Sequence, residues 1–554
     1  MGLMNIKYNN EDLLFAALGG AGEIGMNCYV YYHKGKWLVV DLGIGFADES
    51  LPGVEIIVPN INFLIKNKHD IAGLVLTHAH EDHIGAVQYL WPELECPVYT
   101  TKFTSAVLKA KLADVGLENE VDITEVPENS KFSVGPFDIE FFNITHSIPE
   151  MHGLMLRTDK GNIFHTGDWK LDIDPIIGNA TNEEALKKFG DEGILALVCD
   201  STNIFNQGSS ISEGELQKSL QDIICGFKNN LVIVTTFASN IARIHSIAKA
   251  AESANRRVVL IGRSLWRVYE AAKQSGYLED LHPFLTDREA KHLKREEMLV
   301  ICTGCQGEPL AATNKIANHI HPSIKAQKGD AIIFASKIIP GNEKKIFKLF
   351  NQFCKLRMEV LTEKDHFVHV SGHPARDDVA RMYELLRPQI AIPMHGEAVH
   401  LHEHTKFALE HGAKQAVEVE NGDVISIEEN GANKIGTVTS GSLAIDGNYI
   451  LLPDSKLIKA RRKMRDEGLV IITLLINSKR KPFSLPLVVA PGVLDEKDDS
   501  EVIDAIKEEI FNHVSKGKFR HRIEIEKYIV STAKRIVKAE AGKYPEIIVQ
   551  IEQI

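Results

Sequence analysis

The first part of the chain alternates short apolar runs with junctions rich in Gly, Asp and His. Runs such as "LLFAALGG", "GLVLTHAH", "FDIEFFNITHS" and "ALVCDST" occur within residues 1–200. Short apolar runs bounded by turn-forming residues predict β-strands. The polar residues follow directly after the predicted strands, where loops on a rigid scaffold commonly carry chemistry.

The pattern changes over residues 207–360. Continuous apolar runs such as "LVIVTTFAS" and "RRVVLIG" alternate with helical stretches such as "NIARIHSIAKAAESAN". This alternation predicts a parallel sheet that is covered on both faces. After residue 361 the earlier style returns in "HVSGHP" and "QIAIPMHGE". The chain is therefore predicted to be α/β, with one module inserted into another.

These changes of pattern predict five segments. The first domain spans 1–206 and resumes at 363–452, with an inserted domain at 207–362. A basic stretch at 453–465 is predicted to be a linker, and 466–554 to form a small C-terminal α+β domain.

Composition narrows the class of protein to which the chain can belong. The chain has 554 residues, 44% hydrophobic and 25% charged, which is typical of a globular protein with several domains. Its apolar runs are too short for a membrane helix, and the N-terminus lacks signal-peptide features. We therefore expect a cytoplasmic protein without a membrane partner. The formal net charge of −12 disfavours a broad basic surface for nucleic acid, so any such partner requires locally concentrated positive charge.

The stretch "LVLTHAHEDHIGA" concentrates metal-binding side chains after a predicted strand. Imidazole and carboxylate suit Zn²⁺ or Mn²⁺. His78 and His80 can converge on one ion, and Asp82 with His83 points to a neighbouring one. Three more candidates follow strands: His146 in "NITHS", Asp168 in "HTGDW" and His395 in "IPMHGE". Asp41 in "VVDLG" is placed to hold a histidine ring through its second nitrogen.

The order HxHxDH, THS, TGD and MHG resembles the metallo-β-lactamase superfamily. The resemblance implies an αββα sandwich and two zinc ions, for which Mn²⁺ or Mg²⁺ are substitutes. It assigns His78, His80 and His146 to one ion and Asp82, His83 and His395 to the other, with Asp168 as the bridge. "DSTN" (200–203), "HVSGH" (369–373) and "PMHGE" (393–397) resemble the motifs of the β-CASP nuclease branch.

The chain also resembles the bacterial ribonuclease J family, from about Leu13 to Asp446. The motifs that carry this resemblance are "GGAGEIGMN", "TTFASNIARI", "GRSL", "CTGCQGEP" and "IPGNE". Cys305 stands where the family usually has Ser, and residues 480–494 replace its usual Arg-Gly-Phe-Val stretch. The departure at 480–494 puts the contacts of the C-terminal domain in question.

The segment 369–373 combines a hydroxyl, a glycine and imidazoles beside main-chain amides, which suits a phosphate. By resemblance it grips the 5′-monophosphate end of RNA through His369, Val370, Ser371, Gly372 and His373. Ser239 and Asn240 precede a helix start, which favours an anion, although Ser239 is equally suited to a plain helix cap. The expected catalytic residues are Asp82, Asp41 and His373. His373 either protonates the leaving 3′-oxygen or only binds phosphate.

The resemblance implies a 5′-to-3′ exonuclease that prefers 5′-monophosphorylated ends and also has endonuclease activity. Single-stranded RNA is the expected partner, in mRNA decay and rRNA maturation. A homodimer or homotetramer and partners in RNA degradation or at the ribosome are further expectations. The alternatives are a β-CASP DNA nuclease, a small-molecule hydrolase and an inactive RNA-processing scaffold. His395 favours the RNA branch, the insertion disfavours a small-molecule enzyme, and the full ligand set disfavours a scaffold.

A structural calcium ion is a further expectation from the resemblance. Its ligands here would be the Gly53 carbonyl, Glu55 and Asp446, since oxygen ligands suit calcium.

Overall fold

A computed structural model describes residues 8–554 of the chain. These residues form two compact units. The first contains residues 8–45 and Val58–Gly441, and the second contains Phe46–Ile57 and Ser442–Ile554.

Two large mixed sheets form the centre of the first unit. Phe15 and Tyr31 of one sheet pack into the same buried core as Phe141 and Leu156 of the other. In spatial order, the first sheet contains Gly431–Thr437, Asp423–Glu428, Leu14–Gly19, Cys28–His33, Lys36–Val40, Ile71–Val75, Val98–Thr100 and Ile123–Glu125. The second contains Lys131–Val134, Phe137–Asn143, His152–Thr158, Gly161–His165, Ala196–Asp200, Ile390–Met394 and Gln415–Ala416. A two-stranded ladder pairs Ala21–Gly22 with Gly396–Glu397.

Amphipathic helices accompany both sheets. Leu186, Phe189 and Met382, for example, are buried against apolar residues of the second sheet. The helices of this part are Asn62–Lys66, Glu81–Ile84, Val87–Leu94, Lys102–Ala113, Glu183–Glu192, Arg376–Leu386 and Ala398–Glu410, with a 3₁₀ turn at Lys68–Asp70. The arrangement is the αββα sandwich that the resemblance implies.

The inserted module has its own five-stranded sheet, in the order Arg257–Ile261, Met298–Cys302, Val232–Thr235, Ala331–Phe334 and Glu359–Leu361. All its ladders are parallel, which confirms the parallel sheet predicted from its apolar strands. Its helices are Glu213–Gly226, Ile241–Ser253, Arg263–Gln274, Ala312–Ala317 and Glu343–Lys355, with 3₁₀ turns at Glu289–His292 and Arg295–Glu297.

The position of the insertion follows from the pairing of the second sheet. The strand Ala196–Asp200 pairs in parallel with Ile390–Met394, so the chain leaves the sandwich after the first strand and re-enters it before the second. Motifs before and after the inserted module therefore meet at the same end of the sheet.

The second unit contains two smaller sheets. One has the order Tyr449–Leu451, Ser442–Asp446, Ile56–Pro59 and Gly45–Phe46, and the other the order Leu487–Val489, Leu469–Ile476 and Glu546–Gln553. The helices Ser500–Lys516 and Arg522–Ala541 bury their apolar residues with alternate residues of Leu469–Ile476.

The basic stretch that was expected to be a linker (453–465) is mostly helical. The helix Lys456–Glu467 begins at Ser455, whose hydroxyl caps it, and buries Ile458 in a small core with Leu51 and Val54. The sequence does not predict this helix because Ile458 is its one buried residue, so no apolar periodicity marks it. None of the helices within residues 8–554 has the length and apolar character needed to span a membrane.

Candidate metal centre and phosphate cradle

The histidine-rich stretch lies at the end of one strand of the first sheet, where neighbouring loops hold its main chain. The N–H of Asn27 donates to the carbonyl of Asp82 at 2.9 Å, and the N–H of Leu42 donates to the carbonyl of His83 at 2.7 Å. Gly43 passes so close that a Cβ there would stand 1.6 Å from the Asp82 carbonyl oxygen. The glycine of "VVDLG" is therefore required by this close approach.

The described residues contain three adjacent groups of potential metal ligands. Seven side chains form two of them, and the third combines Asp168 and His395 with Asp200 and His373. The ligand atoms of each group all lie within 4.8 Å of one another. One group is His78, His80, His146 and Asp168, and the other is Asp82, His83, Asp168 and His395. The structure thus brings together all seven residues selected from the sequence, with Asp168 common to both groups.

The donor set fits zinc. His80 Nδ1 lies 3.1 Å from both His78 Nε2 and His146 Nε2, close to the separation of about 3.3 Å between nitrogens that share a tetrahedral zinc ion. Burial holds the pKa values of His78 and His146 well below their usual range, so both rings are neutral. Asp168 Oδ1 is buried and has no hydrogen-bond partner among the described residues. In the first group, two imidazoles of lowered pKa and an uncommitted carboxylate oxygen suit a metal ion.

In three of the candidate ligand rings, the nitrogen that faces away from the ligand groups makes a close polar contact. The Nδ1 of His83 lies 2.7 Å from Asp41, that of His395 lies 2.7 Å from the Thr202 hydroxyl, and that of His146 lies 2.6 Å from the Gly372 carbonyl. Such contacts fix ring orientation and tautomer.

Asp41 holds the ring of His83 at its Nδ1. Its carboxylate also accepts the N–H and the hydroxyl of Thr77, both at 2.8 Å, so both oxygens are occupied on the side of His83 away from the ligand group. Asp41 and His395 both have left-handed backbones, at φ 61° and 51°. Strain of this kind persists where surrounding contacts enforce it, commonly at functional sites.

His373 lies beside the metal ligands. Its Nδ1 is 2.7 Å from Asp200 Oδ2, and its ring stacks on His395 with 5.4 Å between centroids. Burial lowers the pKa of His373, but the Asp200 carboxylate more than offsets this and raises the pKa above the usual value. The motif "DSTN" includes Asp200, but no role in the site is predicted for it from the sequence. The available signal is its position as the last residue of a buried strand.

The rest of the segment 369–373 has mixed roles. The Ser371 hydroxyl accepts from the Asn203 amide at 2.8 Å, and the Gly372 carbonyl holds His146. Val370 is buried and contributes its carbonyl to internal bonding. We call residues 368–373 the cradle segment.

The cap of the helix Ile241–Ser253 is Asn240. Its side-chain oxygen accepts from the Arg243 N–H at 2.8 Å. The capping role considered for Ser239 therefore falls to the next residue. Asn240 is buried, whereas Ser239 is half-buried at the start of the helix.

The residues suggested for calcium do not fit that ion. Both oxygens of Asp446 accept from the guanidinium of Arg461, at 2.9 and 2.7 Å. The same guanidinium lies 3.5 Å from where a Cβ would stand on Gly53, and Glu55 is exposed. Arg461 already supplies the positive charge there, so the carboxylate is not open to calcium. Nothing in the sequence around Asp446 signals this pairing with a residue of the basic stretch.

Family models match most of the chain and indicate the class of protein to which it belongs. A β-lactamase superfamily domain matches residues 36–183, and a Zn-dependent metallo-hydrolase RNA specificity domain matches 357–418. A crystal structure of a protein of unknown function from Enterococcus faecalis shares the fold, with a TM-score of 0.53 and 19% identity over 75% of this chain and all of the other. The fold and the ligand set define a metallo-β-lactamase-type hydrolase with a β-CASP insertion.

More specific matches identify the family. Models of the ribonuclease J β-CASP and C-terminal domains match residues 229–353 and 456–554. Ribonuclease J of Sinorhizobium meliloti is 40% identical over 89% of this chain and 88% of its own length. Ribonuclease J of Thermus thermophilus is 34% identical over 96% and 93%, and ribonuclease J2 of Bacillus subtilis is 33% identical over 90% of each chain. This chain belongs to the ribonuclease J family.

Gly372→Ala is expected to weaken metal binding. A Cβ at this position would stand 2.8 Å from His146 Cε1, so the ring must move or the cradle segment must shift. We expect a loss of bound metal, measured by elemental analysis, and a fall in RNA hydrolysis of about tenfold or more. Gly226→Ala is the matched control, because its Cβ would meet nothing within 4 Å. Full metal content in Gly372→Ala would contradict the role given to the Gly372 carbonyl.

Proposed function

We propose that this chain is a zinc-dependent ribonuclease that hydrolyses single-stranded RNA at two adjacent metal ions. As a member of the ribonuclease J family, it is a metal-using nuclease of the metallo-β-lactamase and β-CASP class. The observation that carries the finer proposal is the sharing of Asp168 by two ligand groups directly beside His373 and Asp200.

Zinc held by these groups supplies Lewis-acid activation of water and of the scissile phosphate. The protein side chains supply the remaining steps. Asp41, Thr202 and Gly372 hold the ligand rings in place. Asp200 stabilises the imidazolium form of His373, whose Nε2 proton passes to the leaving 3′-oxygen.

The cradle segment supports the proposed 5′-to-3′ direction of degradation. Ser371, His369 and the half-buried Ser239 provide donors for a terminal phosphate near the metal ligands, and the contact between Gly372 and His146 links the cradle segment to those ligands. An enzyme that holds the 5′-phosphate beside its hydrolytic centre removes nucleotides in the 5′-to-3′ direction. Internal cleavage follows when a strand reaches the same centre without its end being held.

In this proposal the enzyme serves mRNA decay and rRNA maturation in the cytoplasm. A homodimer or homotetramer, and partners in RNA degradation or at the ribosome, belong to the same proposal.

The decisive experiment compares three substrates of one sequence: 5′-monophosphorylated RNA, 5′-triphosphorylated RNA and the matched DNA. We expect the monophosphorylated RNA to be degraded about tenfold faster than the triphosphorylated RNA, because the cradle has donors for a single phosphate. DNA should be cut poorly. A chelator should stop all activity, and zinc should restore it. Equal rates on the two RNA ends would refute the cradle, and full activity after complete metal removal would refute the mechanism.

A further inference from the structure

We propose that Arg243 is a positioning residue for 5′-end recognition, because it fixes the cradle segment and the ring of His369 against the helix Ile241–Ser253. The inference rests on the proposed function, since it concerns how the same site recognises its substrate end.

Arg243 is fully buried and makes an unusual number of contacts. Its guanidinium donates to the main-chain carbonyls of Ala335, Val368 and Val370, at 2.9, 3.4 and 3.3 Å. Two of these carbonyls belong to the cradle segment. A planar guanidinium with five N–H donors can bridge several carbonyls at fixed angles, which a lysine ammonium cannot.

The charge of Arg243 is balanced internally. Both oxygens of Glu213, itself buried, accept from the guanidinium at 2.9 and 3.2 Å. A buried pair of this kind is costly to desolvate and persists only with good geometry and further hydrogen bonds. The pair also ties the helix Glu213–Gly226 to the helix that carries Arg243.

Arg243 also determines the tautomer of His369. Its Nη1 lies 3.3 Å from His369 Nδ1. A guanidinium only donates hydrogen bonds, so Nδ1 must be the acceptor and the ring proton must reside on Nε2. His369 therefore keeps one N–H donor available for a phosphate oxygen.

The surroundings keep His369 in this form. Burial, together with the cations of Arg243, Lys337 and Lys170, holds the pKa of His369 well below its usual value. The ring thus stays neutral and acts as a directed donor.

Arg243 further links the cradle segment to the start of the helix Ile241–Ser253. It is the third residue of its helix, and its N–H is the group that Asn240 caps. The half-buried Ser239 precedes that cap. Arg243 therefore holds the helix start and the segment 368–370 in one fixed arrangement, although they are separated by more than a hundred residues in the sequence.

The test compares Arg243→Lys with a matched control, Arg256→Lys. Arg256 is also a buried arginine of the inserted module and donates to the carbonyls of Asn230 and Met298, both at 2.8 Å, but it makes no contact with the cradle segment. The measurements are kcat and KM on 5′-monophosphorylated and 5′-hydroxyl RNA, together with the midpoint of thermal unfolding.

For Arg243→Lys we expect the preference for the 5′-monophosphate, expressed as the ratio of the two kcat/KM values, to fall about tenfold through a higher KM. Activity on 5′-hydroxyl RNA, which offers no terminal phosphate to the cradle segment, should fall by a smaller factor. Arg256→Lys should lower the unfolding midpoint by a similar amount and keep the full preference. If Arg243→Lys does not fold, Glu213→Gln, which loosens the same guanidinium, should reproduce the loss of preference.

The results distinguish failure of the 5′-phosphate proposal from failure of the inference about Arg243. If the wild-type enzyme does not discriminate between the two RNA ends, the 5′-phosphate proposal fails and this inference fails with it. If the wild-type enzyme discriminates and the soluble Arg243 or Glu213 variant keeps that discrimination, only the inference is overturned. An equal loss on both substrates would also overturn it, since that loss indicates a structural role alone.

Discussion

Asp168→Ala is expected to eliminate RNA hydrolysis, with a fall of at least about 10³-fold in kcat. Asp168 is the one side chain that both ligand groups contain, so its removal deprives each of an oxygen ligand. It also removes the negative charge that lies 3.1 Å from His83 Nε2 and 3.7 Å from His395 Nε2. Asp82, at 3.7 Å from His83 Nε2 and 3.3 Å from His395 Nε2, would then be the carboxylate left between the two rings, and metal content should fall with activity.

Glu81→Gln provides the control for Asp168→Ala. Glu81 belongs to the same histidine-rich stretch, but its carboxylate faces away from the ligand groups and pairs with Lys111 at 2.7 Å. We expect normal metal content and activity within about threefold of the wild type. An Asp168→Ala protein that retained both its metal and its activity would remove the basis for hydrolysis at a shared pair of ions.

The second large effect is expected at His373. His373→Ala should lower kcat by about 10² to 10⁴-fold, the range for loss of a general acid. The reason is the 2.7 Å contact with Asp200, which favours the imidazolium form that gives up a proton. Asp200→Asn should reduce kcat in the same direction by a smaller factor.

Substrate chemistry separates the two roles open for His373. An RNA with a 3′-bridging sulfur has a leaving group that needs no proton, so a general-acid variant should recover most of its rate on this substrate. If His373 only binds phosphate, the defect should be the same with sulfur and with oxygen. His366→Ala, a partly exposed histidine shortly before the cradle segment, should behave as the wild type on both substrates. Metal content, measured for each variant, excludes loss of the ions as the cause.

The residues that the structure gathers into candidate metal-ligand groups could be selected from sequence because their signal is local. His78, His80, Asp82 and His83 fall within six consecutive positions, and each remaining candidate ligand lies shortly after a predicted strand. Strand ends that share a sheet edge bring such residues together, so residue type and position were sufficient. The parallel sheet of the inserted module was accessible for a similar reason, since continuous apolar strands alternate there with helices.

Contacts between distant residues could not be predicted in this way. Asp200 and His373 are separated by the whole inserted module, and nothing local marks them as partners. Arg243 lies in a helix whose sequence predicts an amphipathic element but not a buried guanidinium. Arg461, which charge patterning assigned to a solvated linker, pairs with Asp446, one of the residues expected to bind calcium.

The second unit is assembled from two pieces of chain that are far apart in sequence. Leu51 and Val54, from Phe46–Ile57, pack with Ala444 and Ile458, which belong to the last part of the chain. During synthesis on the ribosome, the early piece finds its partners only after Ala444 and Ile458 have been made. Truncation after the first unit would likewise leave these apolar side chains without their core, so the C-terminal segment cannot be removed as an independent appendage.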